Sequence, residues 1–200
     1  MTELVLSDGA KTVVRKLTEK GYKAYAVGGC VRDLLRGRTP DDYDIATSAF
    51  PENVAEVFSA YDVIPTGLKH GTVTVVIDKI PYEITTFRKD GNYPDGRRPE
   101  KVEFVDDLKE DLSRRDFTVN AMAYNDDEGL IDPFGGEQDL KNKILRCVGD
   151  PEKRFTEDAL RILRAARFCS TLSLTAEEET ARKAIKLAYK LKNVSAERIF

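Results

Sequence analysis

The chain has 200 residues, 41% apolar and 34% charged, which suits one domain, or a domain with an appendage, able to bury a core. It holds no run of about 18 apolar residues, and Met1-Thr2-Glu3 leads straight into polar sequence, so neither a membrane span nor a secretory signal is expected and a cytoplasmic location follows. The net charge of -3 gives no overall nucleic-acid signature, yet it is uneven: from Asp150 onward 11 Lys and Arg face 8 Asp and Glu, a net +3, which leaves -6 for residues 1–149. An acidic part able to hold metal therefore precedes a basic part able to face an anion.

Ala10, Val13, Val14 and Leu17 recur at helical spacing over residues 8–20, with Ser7 as N-cap and Gly21 just past the end. Lys23 to Val27 alternates as a short strand, Gly28-Gly29 breaks it, and Val31, Leu34 and Leu35 mark a brief helix closed by Gly37. Strand, glycine turn and helix start is a geometry that offers backbone N–H groups to a phosphate, and Arg32 could add a charged fork; such a turn by itself is more often purely structural.

Asp42 to Thr47 reads as a second strand. Side chains alternate across a strand, so Asp42 and Asp44 share one face while Tyr43 and Ile45 point to the other. Two carboxylates aimed at one point need a cation, an arginine or a shared proton between them, unless they simply form a solvent-facing strand end. Pro51 then starts a helix with Val54, Val57 and Phe58 inside. Segments 61–65, 71–77 and Pro81 to Phe87 are β-rich, the last two joined through Asp78-Lys79-Ile80, so a meander follows a βαβ-like start and a mixed sheet is expected. Glu83, sharing a face with Thr85 and Phe87, is a candidate third carboxylate or an edge charge.

Arg88 to Glu100 carries two glycines, two prolines and six charged residues before Glu100, which reads as a loop long enough to move. His70, the single histidine, falls in a shorter turn and cannot build a histidine metal cluster. Cys30, Cys147 and Cys169 are odd in number, far apart and without a CxxC pair, so free thiols are expected. After a short strand at Val102 to Val105 and a helical stretch comes Arg114-Arg115-Asp116-Phe117-Thr118-Val119-Asn120; two adjacent arginines cannot both face one way on a helix, so one can bind substrate while the other braces the fold, unless the two form an exposed basic pair.

Turns at Asn125 to Gly129 and Asp132 to Gly136 follow, and Ile144 to Val148 closes the globular part. The remainder is helical. Over Thr156 to Phe168 the expected core stripe is Ala159, Leu160, Ile162, Leu163 and Ala166, with Glu157, Asp158, Arg161, Arg164 and Arg167 on the polar side. Asp158 and Arg161 would be surface neighbours on this helix, and three arginines in steps of three suggest a surface that meets anions or bases. Thr175 with Glu178 forms a capping box for a further helix with Ala181, Ala184, Ile185 and Ala188 inside, and Ser195-Ala196-Glu197 looks like a fresh helix start with no room before Phe200, which implies truncation.

Taken together, Gly28-Gly29-Cys30-Val31-Arg32-Asp33, Asp42-Tyr43-Asp44, Arg114 to Ala121 and Glu157-Asp158-Ala159-Leu160-Arg161 resemble, in order, the class II tRNA nucleotidyltransferases and their bacterial poly(A) polymerase relatives. The resemblance implies an α/β (α+β) fold: a DNA polymerase β-like nucleotidyltransferase head with a mixed sheet over residues 1–148, then an all-helical neck over 149–200, without the body and tail helices that hold tRNA. It implies addition of C and A from CTP and ATP to the 3′ end of tRNA, with CC-only, A-only or poly(A) addition, or a catalytically silent nucleotide-binding module, as alternatives. Asp42 and Asp44 would be catalytic and hold two Mg²⁺ ions. Gly29 and Arg32 would cradle the triphosphate, Gly28 and Arg115 would also bind the nucleotide, Asp116 and Asn120 the ribose, and Asp158 with Arg161 would read the base, with Arg164 and Arg167 lining the site. A carboxylate accepts from the exocyclic amino group that cytosine and adenine share, whereas uracil and guanine present a carbonyl there.

Overall fold

The computed structural model describes residues 4–91 and 102–194. The first helix, α1 (Asp8–Glu19), begins as its sequence directs: Ser7 caps it by accepting from the Ala10 N–H at 3.2 Å, and Ala10, Val13, Val14 and Leu17 are its buried residues. Next come β1 (Ala24–Val27), α2 (Gly29–Leu35), β2 (Asp44–Thr47), α3 (Pro51–Val57), β3 (Asp62–Gly67), β4 (Thr72–Ile77) and β5 (Ile80–Thr86). Asp78 and Lys79, both at positive φ, make the tight turn between β4 and β5. The chain continues through β6 (Arg88–Asp90), β7 (Val102–Phe104), α4 (Leu108–Ser113), β8 (Ala123–Asn125), β9 (Gly129–Ile131), α5 (Gly136–Lys141) and β10 (Ile144–Leu145). It ends with α6 (Pro151–Glu157), α7 (Leu160–Leu172), β11 (Thr175–Ala176) and α8 (Glu178–Leu187).

Seven strands form one mixed sheet in the order β3-β4-β5-β2-β1-β8-β9. β2 and β5 run parallel and the other neighbours antiparallel. The opening unit is therefore not βαβ: β1 and β2 pair antiparallel, because the α2 connection turns the chain back rather than crossing over. One face of the sheet buries Ala26, Ile45, Val75 and Ile84 beneath α1 and α3. The other buries Tyr25, Val27, Ala46 and Phe87 against Leu108 and Leu112 of α4. A further core, with Phe117, Leu145, Cys147, Phe155, Ile162, Phe168 and Leu187, joins the helices after residue 148 to segments before it.

Three further expectations change. Arg88–Asp90 is a strand paired with β7 rather than loop, while residues 92–101 of that expected loop, like the helix start at Ser195-Ala196-Glu197, lie outside the described residues. The helix expected over Thr156 to Phe168 is two helices broken at Asp158, whose φ of -144° and ψ of 108° are extended. The break rotates α7, so its buried residues are Ile162, Ala165 and Phe168 while Ala166 is exposed. In α8 the cap falls on Glu177 rather than Thr175, because the Thr175–Ala176 backbone is spent on pairing with β10; Ile185 is 79% exposed and Leu187 is buried instead. Among the described residues no helix is long and apolar enough to cross a membrane.

Candidate active site

Asp42 precedes β2 and Asp44 begins it. Both are exposed, whereas Tyr43 and Ile45 are buried, so the alternation read from the sequence holds although the strand is two residues shorter. Tyr43 is pinned from beneath, its hydroxyl accepting from the Ser7 N–H at 3.3 Å. Asp44 reaches solvent but is hemmed in by protein. Desolvation raises its pKa, Arg115 pulls it back, and the charges of Asp42 and Glu83 push it up further. Cys30 lies buried behind it, its thiol raised to about 12 by burial and by the Asp44 charge.

Glu83 is the direct partner of Asp44 in the parallel β2–β5 ladder. It opens, however, into a neighbouring cavity with Thr72, Thr85 and Arg88, whereas Asp42 lines the main one; Asp44 borders both. A donor set of two carboxylates without nitrogen or sulfur fits magnesium, which takes one or two carboxylates and completes its shell with phosphate and water oxygens. Among the described residues no group of three or more His, Cys, Asp or Glu could hold a metal alone.

Gly28 has φ 77° and ψ -127°, a conformation open to glycine, and a Cβ there would lie 2.9 Å from Arg115 Nη1. The next turn brings Arg32 over Gly29. Arg32 Nε and Nη2 donate to the Asp33 carboxylate at 3.0 and 2.9 Å, and Nη1 donates to Asn120 Oδ1 at 2.7 Å. Asn120 Nδ2 in turn donates to Asp116 Oδ1 at 3.1 Å, and Asp116 Oδ2 accepts from Arg164 Nε at 2.7 Å. Buried Asp116 also accepts from the Phe117 N–H at 2.8 Å. A continuous chain of charge-assisted hydrogen bonds thus runs from α2 to α7. Asp116 and Asn120, expected at the ribose, fix two arginines.

The adjacent arginines share Asp111 but otherwise take different partners, although both line the main cavity. Arg114 lies between Asp111 at 2.9 Å and Asp90 at 3.6 Å, bracing α4 against β6. Arg115, 3.6 Å from Asp111, turns to Gly28 and Asp44.

The break at Asp158 interrupts the helix surface on which Asp158 and Arg161 were expected as neighbours. Asp158 sits in the break, where its Oδ1 accepts from the Leu160 N–H at 3.0 Å. Arg161 Nη1 donates to Glu157 Oε2 at 2.7 Å and to the Arg154 carbonyl at 3.2 Å, and Nη2 to the Arg114 carbonyl at 3.2 Å. Its guanidinium is therefore held rigidly, its side chain only 11% exposed. The break aims Asp158 into the cavity instead of along the helix side.

One cavity of about 510 Å³ is lined by Gly28, Gly29, Arg32, Asp42, Asp44, Arg115, Asp116, Asn120, Asp158, Arg161, Arg164 and Arg167. It thus collects every residue expected in the site except Glu83. Phe168 also lines it and escaped the sequence reading, as did the anchoring role of Glu157. The signal for Phe168 was its step of three from Ala165 and six from Ile162, legible only once the helix phase is known.

Residues 24–146 match the family model described as Poly A polymerase head domain. The chain is 53% identical over 190 residues to a CCA-adding enzyme of Lactobacillus delbrueckii subsp. bulgaricus, covering 95% of this chain and 48% of that protein. Its fold superposes on the Bacillus stearothermophilus CCA-adding enzyme in complex with CTP with a TM-score of 0.87 and 46% identity, over 95% of this chain and 45% of the other. For the Thermotoga maritima CCA-adding enzyme complexed with tRNA the values are 0.80 and 28%, over 98% and 46%. The chain spans about half the length of the relatives it matches. The mixed sheet is that of a DNA polymerase β-like nucleotidyltransferase head. With a single family model covering the strands and turns that carry Gly28, Asp42, Asp44, Arg115 and Asn120, the chain belongs to the Poly A polymerase head domain family.

Proposed function

We propose that the chain carries the catalytic head, residues 1–148, and the base-reading neck, residues 149–200, of a template-independent nucleotidyltransferase that adds C and A from CTP and ATP to the 3′ end of tRNA and releases pyrophosphate. The observation that carries this reading is the gathering of two carboxylates, a glycine turn, six arginines and Asp158 around one cavity. The relatives named CCA-adding enzyme support the choice of reaction.

In this reading Gly28 and Gly29 let the triphosphate approach the backbone, while Arg32 and Arg115 offer forks to its oxygens. Asp42 and Asp44 would hold magnesium, two ions in all, whose chemistry when bound is to acidify the attacking hydroxyl and to neutralise charge on the leaving oxygen. Asn120 and Asp116 keep Arg32 and Arg164 oriented before substrate arrives, so little reorganisation is left for the transfer step. Asp158 accepts from the exocyclic amino group of C or A, and Arg161, immobilised by Glu157, donates to a ring or carbonyl acceptor.

The test is to offer the protein a tRNA lacking its terminal CCA with each labelled triphosphate alone and in combination. Incorporation of C and then A is expected. Runs of A would instead make it a poly(A) polymerase, and tight CTP binding without transfer would make it a silent nucleotide-binding module.

A further inference from the structure

Phe168 is 6% exposed and forms part of the cavity wall. Three guanidinium carbons lie over its ring: Arg164 at 5.2 Å, Arg32 at 5.5 Å and Arg167 at 5.6 Å from the centroid. Arg164 and Arg167 share its helix, whereas Arg32 arrives from α2, at the other end of the hydrogen-bonded chain through Asn120 and Asp116. Phe117 meets the ring edge-on, with centroids 5.8 Å apart at 90°, which fixes the ring plane.

Three like charges around one side chain repel, and carboxylates offset only part of this. Asp33 holds Arg32 and Asp116 holds Arg164, but among the described residues Arg167 has no carboxylate partner. The negative ring face is the remaining attraction, within the roughly 6 Å over which such contacts operate. Of the five N–H donors of Arg32, Asp33 and Asn120 engage three, so donors are left to face the cavity.

We propose that Phe168 is a positioning residue: its ring holds Arg32, Arg164 and Arg167 as one cationic surface that grips the phosphate chain of the incoming nucleotide, regardless of the base. This rests on the nucleotide reading of the cavity. It also assigns a job to an apolar residue: it sets affinity for the polyphosphate, while Asp158 and Arg161 set the choice of base.

The experiment measures binding of CTP, ATP and inorganic tripolyphosphate by calorimetry to the wild type, to Phe168→Leu, and to protein carrying a trifluorinated phenylalanine at 168. The fluorinated ring keeps its packing against Phe117 but loses its negative face. Both substitutions are expected to weaken all three ligands by a common factor of about five, the size of one cation–π contact, and Phe168→Tyr is expected to bind as the wild type does. Unchanged tripolyphosphate affinity with the fluorinated ring would overturn the proposal, as would a loss confined to the nucleotides. Should Phe168→Leu fail to fold, the fluorinated ring decides alone. A wild type that binds none of the three ligands would remove the nucleotide reading itself, an outcome distinct from equal binding by wild type and variants.

Discussion

Arg164 Nε donates to Asp116 Oδ2 at 2.7 Å across 48 residues of chain, and this contact joins the helical segment to the sheet-bearing one. Asp116 is buried and its two oxygens serve Phe117 N–H, Asn120 and Arg164 together. Asp116→Ala should therefore lower stability by about 2 kcal/mol, chiefly by stranding Asn120 and the Phe117 N–H. The ion pair itself adds little because Arg164 is 41% exposed. Thermal unfolding monitored by circular dichroism checks this, and an unchanged midpoint would show that the network carries no stability.

Asp44→Asn should cut transfer by roughly 10³-fold, in line with the several kcal/mol that two-carboxylate metal sites supply. The fold should not suffer. The Asp44 pKa is raised, so its charged form costs stability at neutral pH and that cost is relieved as the pH falls through the folded-state value. The variant should melt no lower than the wild type at pH 7; a clear drop would mean that Asp44 is structural.

At Gly28 a side chain meets two obstacles, a positive φ and Arg115 Nη1 at 2.9 Å. Gly28→Ala should cost about 1–3 kcal/mol in backbone strain and displace Arg115, weakening CTP and ATP equally. Wild-type nucleotide affinity in a folded Gly28→Ala protein would place the phosphates elsewhere.

Removing the carboxylate at the helix break bears on base choice. Asp158→Ala should narrow the preference for CTP over UTP by about tenfold, the worth of one specific base contact, with tripolyphosphate affinity left nearly unchanged. Parallel losses for all four triphosphates would count against a base-reading role.

Glu152 sits between Lys183 and Lys186, whose hydrogen bonds and charges lower its pKa to about 2 and tie α6 to α8. A depressed acid stabilises above its unfolded value and loses that contribution as the pH falls. The linkage is therefore present above about pH 4.5 and is lost toward pH 2. Glu152→Gln should flatten the acid limb of the melting curve in that window, and an unaltered limb would assign the acid sensitivity to other groups.

Local chemistry was legible along the chain. Ser7 and the Ala10, Val13, Val14 and Leu17 stripe specified α1, and the i, i+2 spacing of Asp42 and Asp44 put both acids on one face, because a cap and a repeat are properties of neighbouring residues. The acids, glycines and arginines that line the cavity were each weak signals by residue type, and it was the ordered resemblance of their motifs to a family that singled them out. Only the tertiary structure decided how they meet. It broke the expected long helix at Asp158, gave Arg161 to Glu157, set Glu83 beside Asp44 but facing a second cavity, and brought Arg32 to Phe168. Each of these is fixed by packing between segments remote in sequence, where the phase of a helix or the register of a strand is chosen by what it must bury, and no local periodicity contains that information.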